Sequence, residues 1–142
     1  MNQKNIAIKT YRGLPEEARD IREEVFVEEQ KFQEEFDTVD ATAVHLVMFM
    51  EGKPIACARF FLEGEDVYHI GRIAVKKSYR GKRLGEQIVL AAEEEVRRLG
   101  GKEIILSAQL RARGFYDFLG YKAYGEIYKE EYCDHIAMRK YL

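Results

Sequence analysis

The sequence predicts a single α/β domain with a mixed, mostly antiparallel central sheet of about seven strands flanked by about four helices. Three observations carry that expectation. Apolar runs at residues 44–50, 54–62 and 67–75 are separated only by the short turns Glu51-Gly52-Lys53 and Glu63-Gly64-Glu65-Asp66, as consecutive antiparallel strands require. An apolar stripe at Ile88, Val89, Ala92, Val96 and Leu99 is followed by Gly100-Gly101 and the β-branched run EIILS, which reads as a β-α-β unit with a parallel partner strand. Between these lies IGRIAVKKSYRGKRLG at residues 70–85, which joins a strand, a tight basic turn and a helix start in one short stretch.

The remaining elements follow in order. Residues 5–9 alternate polar and apolar and predict a short first strand. Leu14-Pro15-Glu16-Glu17 is a helix start, with proline early and acids in the first turn, and Leu14, Ala18, Ile21 and Val25 form one helical face. Residues 27–40 are acidic but carry Phe32 and Phe36, so they form a second short helix or an ordered loop packed on the core. The helix at 84–99 places Glu93 and Arg97, and Glu94 and Arg98, as i,i+4 pairs on its solvent face. A strand at 103–107, a helix at 110–119 stopped by Gly120, and strands at 121–128 and 134–141 complete the chain.

Composition narrows the function classes. The chain of 142 residues is long enough to bury a core without disulfides or metals. Its two cysteines, Cys57 and Cys133, and three histidines, His45, His69 and His135, show no ligand spacing, so no metal is expected. No signal core or membrane span is visible, which predicts a soluble, cytoplasmic protein that does not engage a membrane. The net charge of -2 is unevenly spread: residues 16–40 hold eleven acids against three bases, and the cations gather elsewhere. Nucleic acid is disfavoured as a partner, because basic residues do not dominate the domain. Monomer and homodimer both fit.

From Arg72 to Arg83 run six cations with no acid. Two readings fit: a solvated cationic loop, or a phosphate cradle in which backbone N–H groups and a helix N-terminus converge on an anion.

With the elements in order, two motifs resemble the GNAT superfamily of N-acetyltransferases across essentially the whole chain. Arg80, Gly81, Lys82, Arg83, Leu84 and Gly85 occupy its acyl-CoA motif, which reads Arg or Gln, two residues, Gly, one residue, then Gly or Ala; the strand RIAV precedes it. Arg83 stands where glycine is usual, at a place where glycine serves close approach or a positive φ. Gly114 to Tyr121 resembles the family's FYxxxGF signature. Finer features resemble the ElaA-like branch: IREEVFVEEQ at residues 21–30, EEFD at 34–37, AQLRARGFY at 108–116, and His135 with Met138.

The resemblance implies an acyltransferase that uses acetyl-CoA as cosubstrate and a primary amine of a small molecule or peptide as acceptor. Ile73, Ala74 and Val75 would hold the pantetheine arm through their backbone, and an N–H near Ile73 would face the thioester oxygen. The amides of Arg83, Leu84 and Gly85, with Gly81, Arg80 and Lys82, would hold the pyrophosphate, and Phe115 and Tyr116 would border the cosubstrate. Tyr116 is the candidate general acid, since a phenol stays protonated at neutral pH; a core or rim aromatic is the alternative. Glu28, Glu29, Asp37, His45 and His135 are candidate bases, and Arg22, Glu28, Glu29 and His45 candidate acceptor contacts; His135 also fits a structural strand histidine. The cysteines lack an activating context, which favours direct attack by the amine. A non-enzymatic CoA-binding sensor or interaction module on the same fold is the second reading.

Overall fold

The computed structural model describes residues 5–33 and 35–142. Glu34, the first residue of the EEFD run, lies outside them. Seven strands form one sheet: β1 (Ile6–Arg12), β2 (Val44–Met50), β3 (Lys53–Gly64), β4 (Val67–Val75), β5 (Glu103–Gln109), β6 (Lys122–Glu130) and β7 (Cys133–Tyr141). Their order is β1-β2-β3-β4-β5-β7-β6, and only β4 and β5 run parallel. The expected sheet is therefore observed, with three α-helices in place of about four: α1 (Glu16–Arg22), α2 (Leu84–Arg98) and α3 (Arg113–Phe118). The segment expected as a second short helix or loop instead holds a π-helical turn at Glu23–Glu29, continuing α1, and a 3-10 turn at Thr38–Ala41. The helix expected over 110–119 opens as a 3-10 turn at Leu110–Ala112 before α3 begins.

Each face of the sheet has its own cover. α2 buries Leu84, Ile88, Val89, Ala92 and Val96 against Leu46, Ala58, Phe60, Ile70, Ile104 and Leu106. Each such large aliphatic side chain contributes about 1.5–3 kcal/mol on full burial. On the other face, Ala18, Ile21, Val25 and Phe26 of α1 and its π turn cover Val47, Cys57 and Ala74. That cover reaches only part of the sheet, and the polar positions of β5, β6 and β7 beyond it stay partly open, Ser107 and Tyr128 among them.

Gly100 and Gly101 join α2 to β5 for different reasons. Gly100 takes φ +92, the left-handed conformation that ends a helix. A Cβ on Gly101 would lie 2.4 Å from Val96 Cγ1 and 2.8 Å from Tyr68 Cδ1, so only glycine fits.

One helix face differs from expectation. Glu93 is buried, accepting hydrogen bonds from Tyr121 Oη (2.8 Å) and from Lys140 Nζ (2.9 and 3.1 Å). Arg97 pairs instead with Glu94 and Arg98 with Glu95, both three residues apart. The helical period puts Glu93 beside Val89 and Val96, and β7 supplies the cation that lets a carboxylate stay there.

The feature that positions the site is the divergence of β4 and β5. Their pairing covers Val67↔Glu103 to His69↔Ile105 and then stops. β4 also bulges on its β3 side, where the register jumps between Cys57↔Ala74 and Arg59↔Gly71, and Arg72 takes φ +52. The last residues of β4 therefore run past β5 with no strand opposite them on that side.

Candidate active site

Two spaces meet where β4 and β5 part. A groove of about 710 Å3 runs along the end of β4 to the start of α2, and a cavity of about 570 Å3 opens on the sheet face beside α1 and its π turn. Ile73 and Tyr116 stand in the wall of both, as do Gln30, Arg111 and Ala112.

The groove is made largely of backbone. A 3-10 turn at Lys77–Tyr79 follows β4, Gly81 takes φ +82, and Arg83 takes φ +63 and ψ +22 as the residue capping α2. No side chain caps that fifteen-residue helix, and its first internal bond runs from Gln87 N to Arg83 O (3.2 Å), which leaves the N–H groups of Leu84, Gly85 and Glu86 at its positive end. Gly85 lies in the groove wall, where a Cβ would sit 3.5 Å from Phe115 Cζ and 3.8 Å from Val75 Cγ2. Arg83 occupies the left-handed conformation that its position in the motif reserves for glycine, at a cost on the order of 1 kcal/mol. Its guanidinium pairs with Glu86 (3.3 Å) and lies over the Phe118 ring.

Arg80 is committed elsewhere than a free cation would be. Its Nε donates to Val75 O (2.8 Å), and Nη1 and Nη2 clamp the two Glu29 oxygens at 2.7 and 2.8 Å. The pair ties the π turn to the β4 turn, and Lys76 Nζ lies 3.6 Å from Glu24 beside it. The π turn arises where Gln30 N bonds to Val25 O, five residues back, which buries Val25 and Phe26 consecutively and sends Glu29 toward Arg80. The Arg80 bond lowers the Glu29 carboxyl below its ordinary range, so Glu29 is a weaker base than a free glutamate. Lys82 and Arg83 remain exposed beside the groove.

Tyr116 is buried, its ring meeting Phe115 and Tyr121 edge-on at 5.0 and 5.9 Å. Burial pushes its phenol above the ordinary value, which keeps the proton on across the physiological range. Among the described residues no group takes a hydrogen bond from its hydroxyl.

The sheet-face cavity is walled on one side by a network of three arginines and three carboxylates. Arg22 Nε donates to Glu35 (2.8 Å) and Arg22 Nη1 to Asp40 (2.8 Å). Arg59 Nη1 donates to Asp37 (2.7 Å) and Asp40 (2.8 Å), and Arg72 Nε lies 3.1 Å from Glu35 Oε2. Burial raises the Asp40 carboxyl, but hydrogen bonds and charge from Arg22, with help from Arg59, hold it well below the usual carboxylate range. Burial pushes the Glu35 carboxyl up against the pull of Arg72 and Arg22. The network's charges cancel, so it fixes the wall without giving the cavity a net sign.

The structure separates the candidate residues into groups. Ile73, Ala74, Val75, Arg80, Gly81, Arg83, Leu84, Gly85, Phe115 and Tyr116 line the groove, together with Glu29. His135 and Asp37 line the cavity with Tyr116. Two expected acceptor contacts lie behind its wall. His45 is buried with Nε2 donating to Asp40 O (3.0 Å), and burial lowers its basicity; Arg22 is buried within the ion network. Glu28 is exposed and lines neither space. Cys57 is fully enclosed, its thiol pushed up to about 12 by burial.

His135 Nδ1 lies 3.1 Å from Cys133 O, and a carbonyl can only accept, so Nδ1 carries a hydrogen and, in the neutral ring, Nε2 the lone pair. Sequence reasoning did not select Arg59, Arg72, Glu35, His69, Ser107, Tyr128 or Glu130, all of which line the cavity. His69 stacks on Phe61 and lies 3.0 Å from Glu63. Local signals among them were the EEFD run that holds Glu35, the RIAV strand that opens at Arg72, and the i,i+2 spacing of Tyr128 and Glu130. Among the described residues, no group of three or more His, Cys, Asp or Glu is placed to hold a metal, and no helix is long and apolar enough to cross a membrane.

The comparisons with known proteins agree with this architecture. The acetyltransferase (GNAT) domain family matches residues 11–142. The uncharacterized N-acetyltransferase YjcF of Bacillus subtilis is 35% identical over 127 residues, covering 84% of this chain and 87% of that protein. An acyl-CoA N-acyltransferase from Pseudomonas aeruginosa superposes with a TM-score of 0.85 at 28% identity, over 96% of this chain and 99% of that one. ElaA of Escherichia coli superposes with a TM-score of 0.84 at 26% identity, over 95% and 99%. A family match that spans nearly the whole chain makes this chain an acyltransferase of the GNAT family.

Proposed function

We propose that this protein transfers the acetyl group of acetyl-CoA to a primary amine of a small molecule or peptide by direct attack, with Tyr116 as general acid. The observation that carries the reading is the shared wall: Ile73 and Tyr116 border both the groove and the sheet-face cavity, so a donor in one and an acceptor in the other would meet there. The groove suits CoA in its donor set, since uncapped N–H groups at the α2 N-terminus, glycines at 81 and 85, and the cations Lys82 and Arg83 match a pyrophosphate. The fold carries acetyl-CoA in a GNAT acetyltransferase of Elizabethkingia anophelis, with a TM-score of 0.76 and 16% identity over 98% of this chain and 99% of that one.

Bound acetyl-CoA supplies the thioester; the protein's residues supply position and protons. The amine forms the C–N bond as the C–S bond breaks, and the Tyr116 hydroxyl gives its proton to the departing sulfur. His135 Nε2, with its lone pair free, takes the proton shed by the amine. The end of β4, freed from β5 at this point, offers backbone groups to the pantetheine arm and an N–H near Ile73 to the developing oxyanion. An acetyl-cysteine route is disfavoured by the burial of Cys57.

The test is to follow thiol release from acetyl-CoA with a panel of amines, beside thermal shifts for CoA and acetyl-CoA. Amine-dependent thiol release, lost on Tyr116→Phe while CoA affinity holds, is the expected result. Stabilisation by both ligands with no amine-dependent release would mark a CoA-sensing module instead.

A further inference from the structure

The open part of the sheet face holds a polar relay that the transfer chemistry does not use. Tyr128 Oη and Ser107 Oγ are hydrogen-bonded, and Ser107 Oγ donates to Glu130 Oε1 (3.0 Å). All three residues line the sheet-face cavity. Ser107 lies on β5 while Tyr128 and Glu130 lie on β6, and β7 runs between them. On β7, Ser107 pairs with Ala137 while Tyr128 pairs with His135 two residues away, so the relay crosses that strand diagonally. The β6 register shifts between Tyr124 and Tyr128, with Gly125 at φ +78, and this bulge brings Tyr128 opposite His135.

Charge separates this end of the cavity from the other. The arginine and carboxylate network at the α1 end cancels internally. At the β6 end, among the described residues, no cation lies within ion-pair distance of Glu130. Of the neighbouring basic groups, Lys129 pairs with Asp134 (2.9 Å), Arg139 lies over the Tyr124 ring, and His69, close enough to feel the Glu130 charge, holds Glu63 (3.0 Å). Glu130 is thus a carboxylate oriented by the Ser107 hydroxyl that Tyr128 shares, and the Tyr128 ring stacks with His135, centroids 6.1 Å apart. An ammonium group suits such a place, through the carboxylate and through the π face of Tyr128.

We propose that Glu130, oriented by Ser107 and Tyr128, is a second ammonium site, and that the acceptor is a diamine: one amine reacts near Tyr116 while the other is held at Glu130. The inference rests on the acetyl-transfer reading of the same cavity and names its substrate class. A single-amine acceptor would leave Glu130 without a counter-ion in the bound state, and a carboxylate-bearing acceptor would meet repulsion there.

Thiol release from acetyl-CoA with α,ω-diaminobutane and with butylamine tests it, using longer diamines to bracket the span. The diamine is expected to show a kcat/KM about tenfold higher than the monoamine, a charge-assisted contact discounted for partial exposure. Glu130→Gln should bring the ratio of the two amines close to one through KM of the diamine, and Glu130→Asp should restore part of it. Equal values for the two amines in the native protein, across diamine lengths, or a preference that survives Glu130→Gln, would overturn the site. Calorimetry of both amines on the CoA complex reads the same contrast without turnover. Diamine binding that depends on Glu130, with no thiol release, would sustain the site while removing the acetyl-transfer reading; binding of neither amine would overturn the site.

Discussion

The groove and the sheet-face cavity lie on either side of Ile73 and Tyr116, yet they are built in opposite ways. The groove comes mainly from one contiguous stretch, the end of β4 through the start of α2, and what it offers a ligand is chiefly backbone and a helix end. The cavity is assembled from side chains on the π turn and the loop after it, β3, β4, β5, β6, β7 and α3. Its wall depends on hydrogen bonds between residues as far apart as Arg72 and Glu35. A contiguous backbone site tolerates changes of side chain. A wall made of buried ion pairs does not.

The largest expected effect tests that contrast on two arginines. Arg22 is almost wholly buried, and Arg22→Ala strands Glu35 and Asp40 without their main partner, which should cost about 3–5 kcal/mol. Arg80 is also doubly bonded, but its pair with Glu29 is more than a third exposed, so Arg80→Ala should cost no more than about 1 kcal/mol. Urea denaturation of the two variants measures both. Comparable losses would mean that the groove turn depends on side-chain pairing as much as the cavity wall does.

Where the two regions meet, the expected effect is on turnover. Tyr116→Phe removes the hydroxyl and keeps the ring contacts, so CoA affinity should hold while turnover falls at least about tenfold. Turnover unchanged by the substitution would leave Tyr116 as a wall residue.

Acid should act on the cavity wall through Asp40 and Asp37, with Glu35, whose carboxyl burial raises, working in the opposite sense. The folded-state pKa of Asp40 is depressed, and that of Asp37 is lowered by its Arg59 hydrogen bonds. Groups so shifted contribute stability that is complete above the unfolded value near 4 and is lost as pH falls through the folded value. Melting temperature should therefore drop on acidification below about pH 4, and Asp40→Asn should start lower at neutral pH but fall less steeply. Parallel acid limbs for the two proteins would show that the network does not carry the dependence.

The same contrast explains what the sequence made legible. The strand order from β2 through β5, the turn and the start of α2 follow from local periodicity and turn residues, and the motif at Arg80 to Gly85 lies on the expected elements. The parting of β4 and β5 is a register event and has no letter of its own. Arg22 stands next to the acidic segment it pairs with, but nothing local ties Arg59 and Arg72 to it, because what groups the three is the return of residues 35–40 across the sheet. Glu93 read as a solvent-face residue for the same reason: its partners Tyr121 and Lys140 arrive from elements 28 and 47 residues away. His45 read as a candidate base and acceptor contact, because nothing beside it in sequence announces the Asp40 carbonyl that its ring meets.

Arg83 is the smallest and most local case. Its φ of +63 places an arginine where glycine is easier by about 1 kcal/mol, while its contacts with Glu86 and Phe118 are solvent-exposed and worth a few tenths each. Glycine also loses more conformational freedom on folding, so the net change should be small. Arg83→Gly should leave thermal stability within a few degrees of the native protein and weaken CoA only by the loss of one exposed charge. Arg83→Glu keeps the strain and reverses the charge beside the α2 N-terminus, so its CoA dissociation constant should rise distinctly more. Equal losses of CoA affinity in the two variants would mean that the groove depends on the arginine side chain itself rather than on the backbone geometry it adopts.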